Sequence, residues 1–175
     1  MPQLNSTKAA EVRRAGEENA RFGGAMPEGK YRVKLTEVTA GQSKSSGNPM
    51  WTWQFEVVEF LDKHTLDVDG ETKAEREKAQ DEYSQALAER EIRYYTTISD
   101  KTLWDLDRVF AAFEAEPDTD TDDLIGDNIV VYIGQEIIGA GKRKGQMGNV
   151  INDFFTLKDG LPAATDMKKA EQPNF

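Results

Sequence analysis

The stretch GKYRVKLTEVTAGQSKSSGNPMWTWQFEVVEF, residues 29–60, reads as two β-strands joined by a basic loop rich in glycine and serine. In the first strand Tyr31, Val33 and Leu35 alternate with Lys30, Arg32 and Lys34, a period of two that sends apolar groups to one face and cations to the other. In the second, Trp51, Trp53, Phe55 and Val57 share one parity, and Thr52, Gln54 and Glu56 the other. The loop between them, 41–48, carries Lys44 and no acid. Phosphates need cations and unstacked bases need flat partners, so a basic strand, a flexible basic loop and an aromatic strand are the parts of a single-stranded nucleic acid site. The same parts also make an ordinary hairpin, and the rest of the chain has to decide.

Upstream, Asn5, Ser6 and Thr7 offer caps for a polar helix over about residues 8–20. Its apolar positions (Ala9, Ala10, Val12, Ala15) are too small to bury much area, so residues 1–28 are expected to form an N-terminal helical arm. Downstream, 62–90 reads as a charged helical insertion, with a helix over 72–90 whose apolar residues are Tyr83, Leu87 and a few alanines. Strand signal returns at 91–99, where Ile92, Tyr94 and Thr96 face one way and Arg93, Tyr95 and Thr97 the other. Ser99 or Asp100 then caps a helix with Leu103, Leu106, Phe110 and Phe113 on its core face, widened by Trp104 and Val109 and stopped by Pro117. Two strands close the series, 128–138 with a bulge at Gly134, and 149–157, joined by the basic loop 139–148. Residues 158–175 read as a flexible C-terminal tail.

Three strands, a helix and two strands, β1-β2-β3-α-β4-β5, is the order of an OB-fold, a five-stranded Greek-key barrel. In that fold the β1–β2 and β4–β5 loops flank an oligonucleotide cleft on strands 2 and 3. The expected fold is therefore a mainly β OB barrel over 29–157, carrying the helical insertion between β2 and β3. Its two cleft loops would be the two flexible basic loops of an otherwise acidic chain.

Composition limits the alternatives. With 32 acids against 22 Lys and Arg, the net charge is −10, and a uniformly acidic surface would repel phosphate. The acids cluster instead in 62–91 and 114–127, leaving the strands and basic loops aside. Without cysteine there is no disulfide or thiolate metal site, and the lone His64 removes Ser-His and Cys-His catalysis. The acidic run at 118–123 has carboxylates at the one-three-five spacing of a calcium loop but lacks its glycine and its bidentate glutamate. No Walker A spacing surrounds Gly141-Lys142. No enzyme, no cofactor and no metal are expected. No apolar run approaches the roughly 20 residues that span a bilayer, so no membrane partner and a cytoplasmic location are expected.

The candidate contacts follow. Lys142, Arg143 and Lys144 form three successive cations at a loop tip, against the alternative that they merely keep a hairpin soluble. Arg32, Lys34, Lys44 and Arg93 would track phosphates, although lysines on strands also discourage edge pairing. Trp51, Trp53 and Tyr95 are the stacking candidates. The two tryptophans share the parity of Phe55 and Val57, so the core competes for them.

Several phrases resemble a family of small bacteriophage proteins described as single-stranded DNA-binding proteins of replication or recombination modules. They are Pro27-Glu-Gly-Lys-Tyr-Arg-Val-Lys-Leu, Ser43-Lys-Ser-Ser-Gly-Asn-Pro-Met-Trp-Thr-Trp-Gln-Phe-Glu-Val, Phe113-Glu-Ala, Leu124-Ile-Gly and Gly148-Asn-Val-Ile-Asn-Asp-Phe-Phe. The resemblance spans about residues 27–157 and implies a binding protein that hands single strands to a phage or host helicase, polymerase or recombinase, with a homo-oligomer left open. It also draws attention to Pro173 and Phe175, which are similar to the partner-docking tails of such proteins, though Lys168 and Lys169 dilute the acidity. The competing expectation is a small β-barrel protein-protein interaction or virion-associated protein that works through its acidic surface.

Overall fold

The computed structural model describes Gln3, residues 5–9 and residues 24–162. The chain is mostly β. Strands β1 (Gly29–Gln42), β2 (Pro49–Phe60), β3 (Glu91–Thr97), β4 (Asn128–Ile137) and β5 (Met147–Phe155) form one antiparallel sheet in the spatial order β3-β2-β1-β4-β5. Helices α1 (Lys73–Leu87), α2 (Leu103–Ala112) and the short α3 (Leu157–Gly160) accompany it.

The period-two reading of the first strands holds. Tyr31, Val33, Leu35, Trp53 and Phe55 have no solvent exposure, and Ile129, Val131 and Ile133 of β4 join them in one core. α2 supplies Val109 and Phe110 to it, with the Phe110 ring set edge-on to Trp53 at 5.7 Å and Phe113 stacked on Trp53 at 6.3 Å. Such aromatic pairs add stabilisation beyond the area they bury.

Several expectations are corrected. First, the sheet is not closed into a barrel by strand pairing: β3 pairs with β2 alone and β5 with β4 alone, leaving a seam between them. Second, the insertion is anchored to the core, and its helix is shorter than the expected 72–90. α1 starts with a capping box between Thr72 and Glu75 and ends on Leu87, which is fully buried in the core, with Tyr83 packed beside it. Third, α2 begins after Thr102, not at Ser99 or Asp100, because the Thr102 N–H donates to the Ser99 carbonyl at 3.0 Å and closes a turn before the helix starts. The strand irregularity expected at Gly134 lies one step earlier, between Tyr132 and Ile133.

The domain's edges also reach further than the sequence suggested. Residues 24–28, assigned to the arm, pack against the sheet. Met26 is buried, its N–H donates to Asn149 Oδ1 at 2.7 Å, and its carbonyl accepts from Asn149 Nδ2 and Gln135 Nε2, each at 2.9 Å. At the other end residues 158–160 of the expected tail belong to α3, with Leu157 of the expected last strand, and Gly160 is buried against Val130. The remainder of the expected helix over 8–20 lies outside the described residues, as does the tail beyond 162.

Candidate nucleic-acid interface

The seam between β3 and β5 is bridged in two places. At one end residues 24–28 act as a strap. Arg90, which precedes β3, donates from Nη2 to the Gly24 carbonyl at 2.7 Å, while Asn149 of β5 and Gln135 of β4 hold Met26. Toward the other end lies the side chain of Arg108 on α2. Its Nη2 donates to the Tyr94 hydroxyl on β3 at 2.7 Å, its Nη1 to the Asn152 carbonyl on β5 at 3.3 Å, and its Nε to Asp105 at 2.9 Å. The guanidinium also lies 5.2 Å from the Phe154 ring centroid and 5.5 Å from that of Trp104.

This cluster is electrically tight. The Tyr94 hydroxyl donates to both Asp105 carboxylate oxygens, at 2.7 and 2.8 Å. Burial and then the hydrogen bond to Asp105 push its pKa upward. Burial works against the charge on Arg108, but its contacts with Tyr94 and Asp105 overrule that and raise its pKa further. Tyr31, under the strap, donates its hydroxyl to the Pro27 carbonyl at 2.7 Å and is held neutral well past the usual phenol range, chiefly by burial.

Beside the strap the seam opens into a cleft of about 440 Å³. Arg93 and Tyr95 line it from β3, Met147 and Asn149 from β5, and Arg143 from the β4–β5 loop, above a floor of residues 24–26 and Arg90. The local sequence explains these orientations. On β3, Ile92 and Thr96 are buried and Tyr94 half-buried, which turns Arg93 and Tyr95 outward; Tyr95 is 53 % exposed. In the β4–β5 loop, Gly141 and Gly145 take φ values of +83° and +86°, a left-handed conformation that side chains disfavour, and the turn they make projects Arg143. Arg143 Nε donates to Gln146 Oε1 at 3.3 Å. Three guanidinium groups and one carboxylate, Glu91, line the cleft of a chain whose net charge is −10.

Of the sequence-predicted residues, the structure therefore brings together Arg93, Tyr95 and Arg143. Lys142 and Lys144 stand exposed on the same loop, outside the cleft lining. Lys44 is exposed at the tip of the β1–β2 hairpin, where the loop is reduced to 43–48 by longer strands. Arg32 is paired with Glu59 at 3.3 Å and Lys34 stands opposite Glu56 in the β1–β2 register, so the basic stripe of β1 is offset by acids of β2 and does not reach the cleft. Trp53 is corrected to a core residue: it has no exposure, and its indole N–H donates to the buried Thr96 hydroxyl at 2.9 Å. Trp51 is half-buried, packed against Trp53 and edge-on to Phe110. Pro173 and Phe175 lie outside the described residues. Sequence reasoning missed Arg90, Met147 and Asn149. The parity of β3, extended one step upstream, puts Arg90 on the inward face with Ile92 and Tyr94, and nothing local marks the other two.

Among the described residues no group of three or more His, Asp or Glu could hold a metal ion, and no helix is long and apolar enough to cross a membrane. The family profile described as "Protein of unknown function (DUF669)" matches residues 11–142. No curated protein and no solved structure matches the chain.

Proposed function

The chain belongs to the DUF669 family, and from the cleft between β3 and β5 we propose that it binds single-stranded DNA. The observation that carries this reading is the exposed ring of Tyr95 set beside Arg93 and faced by Arg143, in a cleft where cations outnumber acids on an acidic protein. A base stacks on Tyr95 and the apolar thioether of Met147, and the flanking phosphates meet Arg93 and Arg143. Lys142 and Lys144 extend the positive field along the β4–β5 loop, and Lys44 does so from the β1–β2 tip. Acids elsewhere on the surface leave this as the attractive path.

The strand order β3-β2-β1-β4-β5 supports an OB-type reading of the sheet, because opening a five-stranded Greek-key barrel between its third and fifth strands yields that order. The cleft adjoins β3 and the β4–β5 loop, where such a barrel takes oligonucleotides. With the resemblance to phage proteins, the role we infer is protection of single strands during phage replication or recombination in the host cytoplasm, before transfer to a helicase, polymerase or recombinase. No chemistry is assigned to the cleft: the protein acts by binding.

The test is a titration of a labelled poly-dT oligonucleotide and the matching duplex, followed by anisotropy at several salt concentrations. Preference for the single strand is expected, with log affinity falling by about 0.7 per phosphate neutralised for each tenfold rise in salt. No binding at low salt would overturn the proposal and move attention to the acidic surface as a protein-binding face.

A further inference from the structure

Two exposed apolar surfaces remain outside the cleft, and their chemistries match. The first is on α2. Trp104 is 64 % exposed and Leu103 48 %, although the helix's other large apolar side chains point into the core. Asp107 is three and four residues further along the helix from these two, so it flanks both. It is exposed and makes no ion pair among the described residues. Asp100 and Lys101 stand on the preceding turn and offset each other. Arg108, beneath the Trp104 ring, has its donors committed to Asp105, Tyr94 and Asn152. The tryptophan thus sits on a rigid support with an acid at its rim, a poor place for a phosphate and a good one for an apolar group carrying a cation.

The second surface is the end of the β4–β5 hairpin. Ile137 is 68 % exposed, the highest value among the large apolar side chains of the described residues. Close to it in the same hairpin are Lys142 and Lys144, both exposed and without an ion pair among the described residues. None of the three lines the cleft.

We propose that chains associate head to tail, the hairpin end of one copy seating Ile137 against Leu103 and Trp104 of the next, with Lys142 or Lys144 meeting Asp107. The two patches lie on different elements, so the contact is heterologous: each copy offers one donor surface and one acceptor surface, and assembly continues unless the rotation closes a ring. The inference does not rest on the nucleic-acid reading, and it is tested on protein alone.

Sedimentation velocity of the full chain over a wide concentration range is expected to show a 19.6 kDa monomer passing into dimers and larger species as concentration rises. Added salt should weaken the series. Trp104→Ala and Ile137→Asp are each expected to weaken association at least tenfold. An equimolar mixture of the two variants should form a dimer and nothing larger, because each then retains the one surface the other lacks. That rescue also shows that both variants are folded. A monomer at every concentration would overturn the proposal. So would association untouched by either variant, or a mixture in which no dimer appears. Loss of DNA binding in a separate titration would leave this result standing, and the reverse holds as well.

Discussion

The hydroxyl of Tyr94 on β3 donates to the carboxylate of Asp105 on α2, at 2.7 and 2.8 Å, while accepting from Arg108 at 2.7 Å. One side chain thereby ties an edge strand to the helix that spans the seam, and Arg108 carries the tie on to the backbone of β5. Tyr94→Phe removes the hydroxyl and leaves part-buried charged groups with fewer partners. It is expected to cost about 1–3 kcal/mol of stability, read from chemical denaturation. Arg108→Met should cost more than Tyr94→Phe, because it breaks the contacts to both strands and leaves Asp105 without its cation. Equal or smaller loss would mean that the seam does not depend on this residue.

Alkaline pH should loosen the fold through the same tyrosine. Tyr31 and Tyr94 both have pKa values raised above the ordinary 10.0, so the fold favours their neutral forms. The stability they contribute is full below that value and is lost as pH rises above it, since the unfolded chain then releases protons that the folded chain retains. A fall in melting temperature between about pH 9 and pH 11 is expected, and Tyr94→Phe should make the fall shallower. A melting temperature indifferent to pH over that range would contradict the shifts.

For the cleft, Tyr95→Ala should weaken binding of single-stranded DNA by the value of one base stack, ~1–3 kcal/mol, while Tyr95→Phe keeps most of it. Anisotropy at one fixed salt concentration separates the two.

Charge reversal at the cleft should act on the salt dependence. Arg143→Glu is expected to lower affinity and to reduce the slope of log affinity against log salt by about 0.7 or more. Arg32→Glu, on a stripe already offset by Glu59, should change the slope far less. Similar effects from both would show that binding follows overall charge and not this cleft.

Gly160 closes α3 against β4, and a Cβ placed there would overlap the Val130 side chain. Gly160→Ala is therefore expected to destabilise by about 1–3 kcal/mol through overpacking, visible as a lower melting temperature. No change would mean that residues 157–160 are dispensable to the sheet.

What could be read from the sequence follows from how far each feature's cause lies along the chain. Tyr31, Val33 and Leu35 announce their burial because a strand's two faces alternate from one residue to the next. Arg93 and Tyr95 are legible for the same reason. Trp104 is not: its spacing assigns it to the helix stripe, but whether the stripe is wide enough to cover it depends on the sheet behind, and here it is left outside. The basic stripe of β1 was legible as a stripe, whereas its neutralisation by Glu56 and Glu59 required the strand register. The strap across the seam was the least legible feature. It depends on Arg90 meeting Gly24 across 66 residues and on Asn149 meeting Met26 across 123, and no local pattern encodes such a meeting.

The strap has a kinetic consequence. Met26 leaves the ribosome well before the amide group that holds it, which belongs to Asn149, 123 residues later. The β1–β2 hairpin can form as soon as it emerges, while the fixing of the segment that precedes it must wait for nearly the whole described chain to be synthesised. Loop closure over that distance is slow compared with hairpin formation. The growing chain therefore passes through a period in which its first strands are paired but Met26 and the β3 edge are uncovered, and in that interval the nascent protein is most exposed to proteases and to pairing with its neighbours.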